Sequence, residues 1–256
     1  MSRTVSFPAR QLRRRRTQWL RRNTVLVVAA TTGTISVGVV LTAIVWALTM
    51  PGKYYVLGVL HAALIAALLH LLNSAFLAHD QEGVWQLRGA WGEDNTRTEL
   101  DRAKRKRLVW GWVDSVQLQA GDIDHIVVTR RGGVVVIDSK WRNQIRTSDV
   151  PVMAAASRKA ALRAEGILRT VLKREAGARH RTNTTSVSVT PLVVLWGAAR
   201  AGVPEDAEVD GVRFLDGRRL LTWLTELDGH EVPREAGHQA IKLLEDFRTN
   251  AALSTR

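Results

Sequence analysis

Residues 121–140 read GDIDHIVVTRRGGVVVIDSK, and the fold turns on this stretch. Its two apolar runs, residues 126–128 and 134–137, are rich in β-branched side chains, which suit a pleated, buried surface. Between them stands Arg130-Arg131-Gly132-Gly133, and Gly-Gly supplies the positive φ that a hairpin turn needs. The spacing predicts an antiparallel hairpin with both strands in a core. Charges gather at its open end: Asp124 where the first strand begins, Asp138 and Lys140 where the second ends. Side chains alternate along a strand, so Asp138 and Lys140 share a face. Asp124 joins that face only if its partner is an even-numbered residue of the second strand. An odd-length loop, read as Arg131-Gly132-Gly133, or a bulge is therefore predicted. A strict two-residue turn would set Asp124 opposite Ser139 and point it away.

Neighbouring carboxylates repel, and desolvating them is costly unless cations compensate. Lys140 supplies one positive charge, and a divalent metal would supply more. Oxygen-only ligands favour Mg²⁺ or Mn²⁺ over zinc. An isolated D-x-K tripeptide is more often a solvated hairpin end. The hairpin context and the upstream acids favour a site. The chain has no cysteine, which excludes disulfides, thiolate zinc sites and a cysteine nucleophile.

The 256 residues carry a net charge of +13. Residues 1–22 hold eight arginines and no acid, so the remainder carries only +5. Most of the excess is a basic tail, residues 1–23, rather than a binding face. Residues 24–50 and 54–77 are uncharged and separated by Pro51-Gly52-Lys53. Each run is long enough to cross the roughly 30 Å of hydrocarbon that takes about 20 helical residues. They predict two transmembrane helices within residues 24–78. The arginines should stay cytoplasmic, and two spans return the chain to that side. Both termini and the following domain are then expected to be cytoplasmic, at the cell membrane. A cleaved signal peptide would have a shorter apolar core and no second run. His61 and His70 fall on opposite helix faces, so each reads as a polar group turned to the partner helix or the headgroups. Ala29/Gly33 and Thr34/Gly38 have the spacing of close helix packing, which leaves room for oligomerisation through the membrane helices.

Residues 79–88 read as a polar connector. A helix is expected from Gly89 to about Lys106, with Glu93 in its first turn and basic residues at its end. Residues 108–113 suit a short strand, and Asp114 begins a loop or weak strand. Asp124 is preferred over Asp122, which suits turn chemistry beside Gly121. A helix over residues 154–173 would turn Leu162, Ile167 and Leu168 to the sheet. Its Arg158, Lys159, Arg163 and Arg169 make a solvated face or a phosphate-facing row. A polar loop over residues 177–185 follows. Residues 187–196 suit a strand made irregular or edge-like by Pro191. Residues 209–214 suit another strand, and 218–227 and 234–247 helices. This order describes one α/β domain with a mixed sheet over residues 89–228, then a C-terminal helix and tail over 229–256.

Gly89-Ala90-Trp91-Gly92-Glu93, the run from Gly121 to Val128, and Gly133 to Trp141 together resemble the NERD (nuclease-related) domain. The likeness weakens beyond Trp141. That family looks like a branch of the PD-(D/E)xK nucleases, which implies a restriction-endonuclease-like mixed sheet flanked by helices. The resemblance implies Glu93, Asp124, Asp138 and Lys140 as catalytic residues. It implies Glu93, Asp124, Asp138 and the Ser139 carbonyl as ligands of Mg²⁺ or Mn²⁺, with Lys140 orienting water or steadying the phosphate. The implied activity is metal-assisted phosphodiester hydrolysis of DNA or RNA. The chain departs from the family pattern at Asn143, where a glycine is common, and at residues 151–157, where a glutamine is expected. The rival reading is a membrane-tethered nucleic-acid-binding or scaffold module without turnover.

Overall fold

The computed structural model describes residues 7–48, 51–118, 121–176, 189–204, 207–229 and 231–254. The polar loop expected over residues 177–185 lies outside them. The chain divides into two compact units, Pro8–Leu87 and Arg88–Arg256, the latter grouped with Met1–Phe7.

The first unit holds α1 (Phe7–Arg22), α2 (Thr24–Ala47) and α3 (Lys53–His79). The basic segment is helical, which its composition alone did not announce. Arg15 pairs with Asp80 at 3.6 Å and with Glu82 at 2.5 Å, and Trp19 packs edge-on against buried Phe76. The helices α2 and α3 are long and apolar enough to cross a bilayer, and 6% of each apolar window is buried. Gly52, with φ of 76°, makes the turn between them. Gly38 is buried where a Cβ would stand 3.3 Å from Leu64, whereas Gly33 faces open space. His61 Nε2 reaches Thr42 Oγ1 on α2 at 3.0 Å, while His70 lies 3.5 Å from Ser74 on its own helix.

Helix α4 (Gln81–Arg105) starts eight residues before the expected Gly89. No proline interrupts the stretch, and Asp80 accepts from the Gly83 N–H at 2.9 Å, an acidic cap on the first turn. Glu93 is consequently a mid-helix residue, and the first-turn reading is corrected.

The second unit is built on a six-stranded mixed sheet in the order β1-β2-β3-β4-β6-β5. Its strands are β1 (Val109–Val116), β2 (Ile123–Thr129), β3 (Val134–Trp141), β4 (Val189–Trp196), β5 (Glu208–Val209) and β6 (Val212–Asp216). Strand β1 continues through Asp114, where a loop or weak strand was expected. Strands β1, β2 and β3 are antiparallel, and β3, β4 and β6 run parallel. Helices α5 (Asp149–Ala176), α6 (Leu220–Glu226) and α7 (Arg234–Ser254) complete the unit. One sheet face packs Val135, Ile137, Leu192 and Val194 against α4 and α6. The other packs Val134, Val136, Val193 and Leu195 against α5 and α7. This is the mixed sheet flanked by helices that the alternating apolar runs predict.

Three local readings change. Leu162 is 62% exposed; Ala161, Ala164 and Leu168 form the buried stripe of α5, one residue out of phase with it. Strand β4 is interior, not edge-like. Pro191 precedes Leu192, where pairing with β6 begins, so only β3 flanks it. The strand expected over residues 209–214 is a tight hairpin, with Asp210 at φ 53° and Gly211 at φ 74° between β5 and β6. Asp-Gly is a preferred pair for that turn.

Candidate active site

The β2–β3 ladder pairs Val128 with Val134 and runs to His125 opposite Ile137. Continued by one residue, it sets Asp124 opposite Asp138. The Thr129 N–H bonds to the Gly133 carbonyl at 3.0 Å. The loop is therefore Arg130-Arg131-Gly132. Its odd length is as predicted, its position one residue earlier. Gly132 and Gly133 carry φ of 87° and 80°, which favour glycine. Parity puts Asp124, Asp138 and Lys140 on the face shared with Val134 and Val136.

At this end the strands stop exchanging backbone bonds, and the Ser139 N–H donates to Asp124 Oδ2 at 2.8 Å instead. Lys140 Nζ donates to Asp138 Oδ1 at 2.5 Å. Burial alone would lower the Lys140 pKa, but Asp138 and Asp124 outweigh it and raise it. Burial, followed by repulsion from Asp138, lifts the Asp124 carboxyl to about 6.

Glu93 comes from α4, which covers the opposite face. Gly92 brings α4 close: a Cβ there would lie 3.4 Å from the Trp141 nitrogen and 3.7 Å from the Ser139 carbonyl oxygen. The Ser139 hydroxyl shares a 2.8 Å hydrogen bond with Thr96 of α4, and Trp196 Nε1 donates to the same Thr96 oxygen at 2.8 Å. Glu93 is buried, and its Oε2 has no hydrogen-bond partner among the described residues. Burial, then the charge of Asp124, pushes its carboxyl up to about 9. Two acids here compete for one proton, and Glu93 keeps it.

A second polar cluster lies beside Glu93, and sequence reading missed it. Asp114 faces His125 across the β1–β2 ladder and meets its Nδ1 at 2.7 Å. Arg97 of α4 donates to Asp114 at 2.9 Å and to Asp94 at 2.6 Å. Burial alone would raise the Asp114 pKa, but His125 and Arg97 hold it below its ordinary value. His125 is fully buried, and among the described residues neither its Nε2 nor the buried Arg97 Nη2 has a partner. Asp114 sits in WVDSV, where only its charge within a buried strand could have marked it.

Of the five residues expected at the site, Asp124, Asp138 and Lys140 share one face of the open hairpin end, while Glu93 and the Ser139 hydroxyl lie on the α4 side. Among the described residues, no three His, Asp or Glu side chains already form a metal-holding group. The acids influence one another pairwise, Glu93 with Asp124 and Asp124 with Asp138. The orphaned Glu93 oxygen, with two further carboxyls set against the single Lys140 ammonium, fits a hard cation with oxygen ligands.

Residues 88–196 match the family model described as the nuclease-related domain, NERD. No curated protein and no solved structure matches the chain. Residues 88–196 are thus similar to a nuclease-related domain, and the mixed sheet and hairpin are those expected from that likeness.

Proposed function

We propose that this is a membrane-anchored, metal-dependent phosphodiesterase acting on DNA or RNA at the cytoplasmic face. The observation that carries the reading is the buried, unpartnered Oε2 of Glu93 beside Asp124, at the end of the strand that bears Asp138 and Lys140. A buried carboxyl lacking a partner is costly in a purely structural role. As part of a ligand set with Asp124, Asp138 and the Ser139 carbonyl, it gains one. Bound Mg²⁺ or Mn²⁺ would offset charge on the phosphate and ease ionisation of the attacking water. Asp124 is held in place by the Ser139 N–H. Glu93 would hold such a cation as its carboxylate, its proton passing to solvent. Lys140, released from Asp138, orients water or steadies the pentavalent phosphate.

The two apolar helices support anchoring. The arginines of residues 1–22 support a cytoplasmic orientation by the positive-inside rule. The test is cleavage of labelled single- and double-stranded DNA and RNA by the full chain in detergent with Mg²⁺. Wild type should cut, and Lys140→Ala should be slower by about 10²–10³, the usual cost of losing one preorganised charge stabiliser. Equal rates would remove Lys140 from the mechanism. The modest +5 outside the tail favours a second reading, a nucleic-acid-binding module without turnover. Binding with no cleavage under any metal would select it.

A further inference from the structure

On the α4 side of the sheet, opposite the face that bears Asp138 and Lys140, lies a cleft of 580 Å³ between α4, the ends of β3 and β4 and the turn after β6. Trp141, Trp196, Arg102, Arg200 and Arg218 line it, with Glu99 as its carboxylate. The arginines come from separate elements. Arg102 bonds Glu99 at 2.6 Å, and its side chain is still 53% exposed. Arg200 donates to the Gly197 carbonyl at 2.7 Å and lies 3.7 Å from Asp216. Arg218 is exposed, and among the described residues its hydrogen bond is made by its backbone N–H and its guanidinium meets no partner. Positive charge exceeds negative charge in a half-open cavity.

The cleft walls are fixed. Gly197 has φ of 81°, and a Cβ there would stand 2.5 Å from the Arg142 carbonyl and 3.0 Å from Trp141 Nε1. A Cβ on Gly217 would clash with the Trp196 ring at 2.4 Å. The bare backbone at these positions lets both indoles close on the cavity. Trp141 also packs against exposed Trp91, with ring centroids 5.5 Å apart. The cleft is wired to the strand carrying the acids. Trp141 directly follows Lys140, and the Thr96 hydroxyl joins Trp196 Nε1 to Ser139 Oγ.

Arginines around aromatic rings suit a phosphate together with a planar base, the chemistry of single-strand recognition. A base paired inside a duplex cannot present its face to such a wall. We propose that this cleft binds one nucleotide of a single strand that also reaches the carboxylates. Its phosphate lies among Arg102, Arg200 and Arg218, and its base packs on Trp141. The assignment rests on the nuclease reading for its location and not for its chemistry.

The test is fluorescence anisotropy of mixed-sequence single-stranded DNA and RNA oligonucleotides. The full chain is used in detergent with chelator, so that no cleavage intervenes, at several salt concentrations. The arginine tail contributes equally to every variant. Arg218→Ala and Arg218→Glu should weaken binding, the latter by about tenfold, and lower the salt slope by about one. Trp141→Ala should cost about tenfold with the salt slope unchanged, and Trp141→Phe should restore most of it. A duplex of the same sequence should show neither dependence. Wild-type affinity in both Arg218 variants and in Trp141→Ala would overturn the assignment, as would the same dependence for duplex. If Mg²⁺ produces no cleavage and Arg218→Glu still weakens binding, the nuclease reading fails and the cleft stands. If wild type cleaves and both Arg218 variants and Trp141→Ala bind like wild type, the cleft fails alone.

Discussion

Glu93 holds a proton to about pH 9 in the fold, against an ordinary value of 4.5. Between those values the folded chain binds a proton that the unfolded chain has lost. Its stabilising contribution is therefore full below about pH 4.5 and is lost as pH rises toward 9. Asp124, raised from 3.8 to about 6, acts with the same sign at lower pH. The range above about pH 8 separates Glu93 from Asp124 and from ordinary histidines. In chelator, the melting temperature of the second unit should fall with pH there, and Glu93→Gln should flatten that slope. An unchanged slope in the variant would place the titration elsewhere. Mg²⁺ should raise the melting temperature by mass action, more strongly at higher pH because Glu93 must ionise to bind it. Asp138→Asn should abolish the rise; the same rise in the variant would put the ion at another site.

At the scale of elements, the β2–β3 hairpin was legible because two β-branched runs and a Gly-Gly turn agree. Its parity followed from requiring three charged side chains on one face. The absolute register did not, because Arg130 and Gly133 can each close the loop and only the Thr129–Gly133 bond decides. Helix α4 was legible as a helix but not in its start, since Asp80 also ends α3 and its capping bond is local. The Asp210-Gly211 turn was legible in principle, because Asp-Gly is a strong hairpin pair, but the strands it joins are too short to show alternation. The Arg97–Asp114–His125 cluster was not legible. It joins a helix and two strands whose meeting no local pattern encodes. Asp114→Ala would leave His125 and Arg97 buried without their shared carboxylate. It should cost about 3–5 kcal/mol in denaturant unfolding, the usual penalty for breaking a buried pair. A loss below about 1 kcal/mol, the worth of a surface pair, would show the cluster to be solvated.

At the scale of the whole molecule, the positive charge and the carboxylate site are separate features. The arginines belong to α1 and its flanks, beside the two apolar helices, while the acids belong to the sheet unit. The charge pattern predicts both termini in the cytoplasm. A C-terminal fusion after Arg256 to a reporter active only outside the cytoplasm should stay silent, and strong activity would reverse the topology. The central claim, that the acids of the hairpin end and α4 act through a divalent cation on phosphodiesters, is tested most directly by metal add-back. The full chain in detergent is stripped with chelator and given labelled nucleic acid, and Mg²⁺ is then restored. Wild type should be silent in chelator and cut on restoration, and Asp138→Asn should stay silent in both conditions. Cutting in chelator, or cutting by Asp138→Asn at the wild-type rate, would contradict the account.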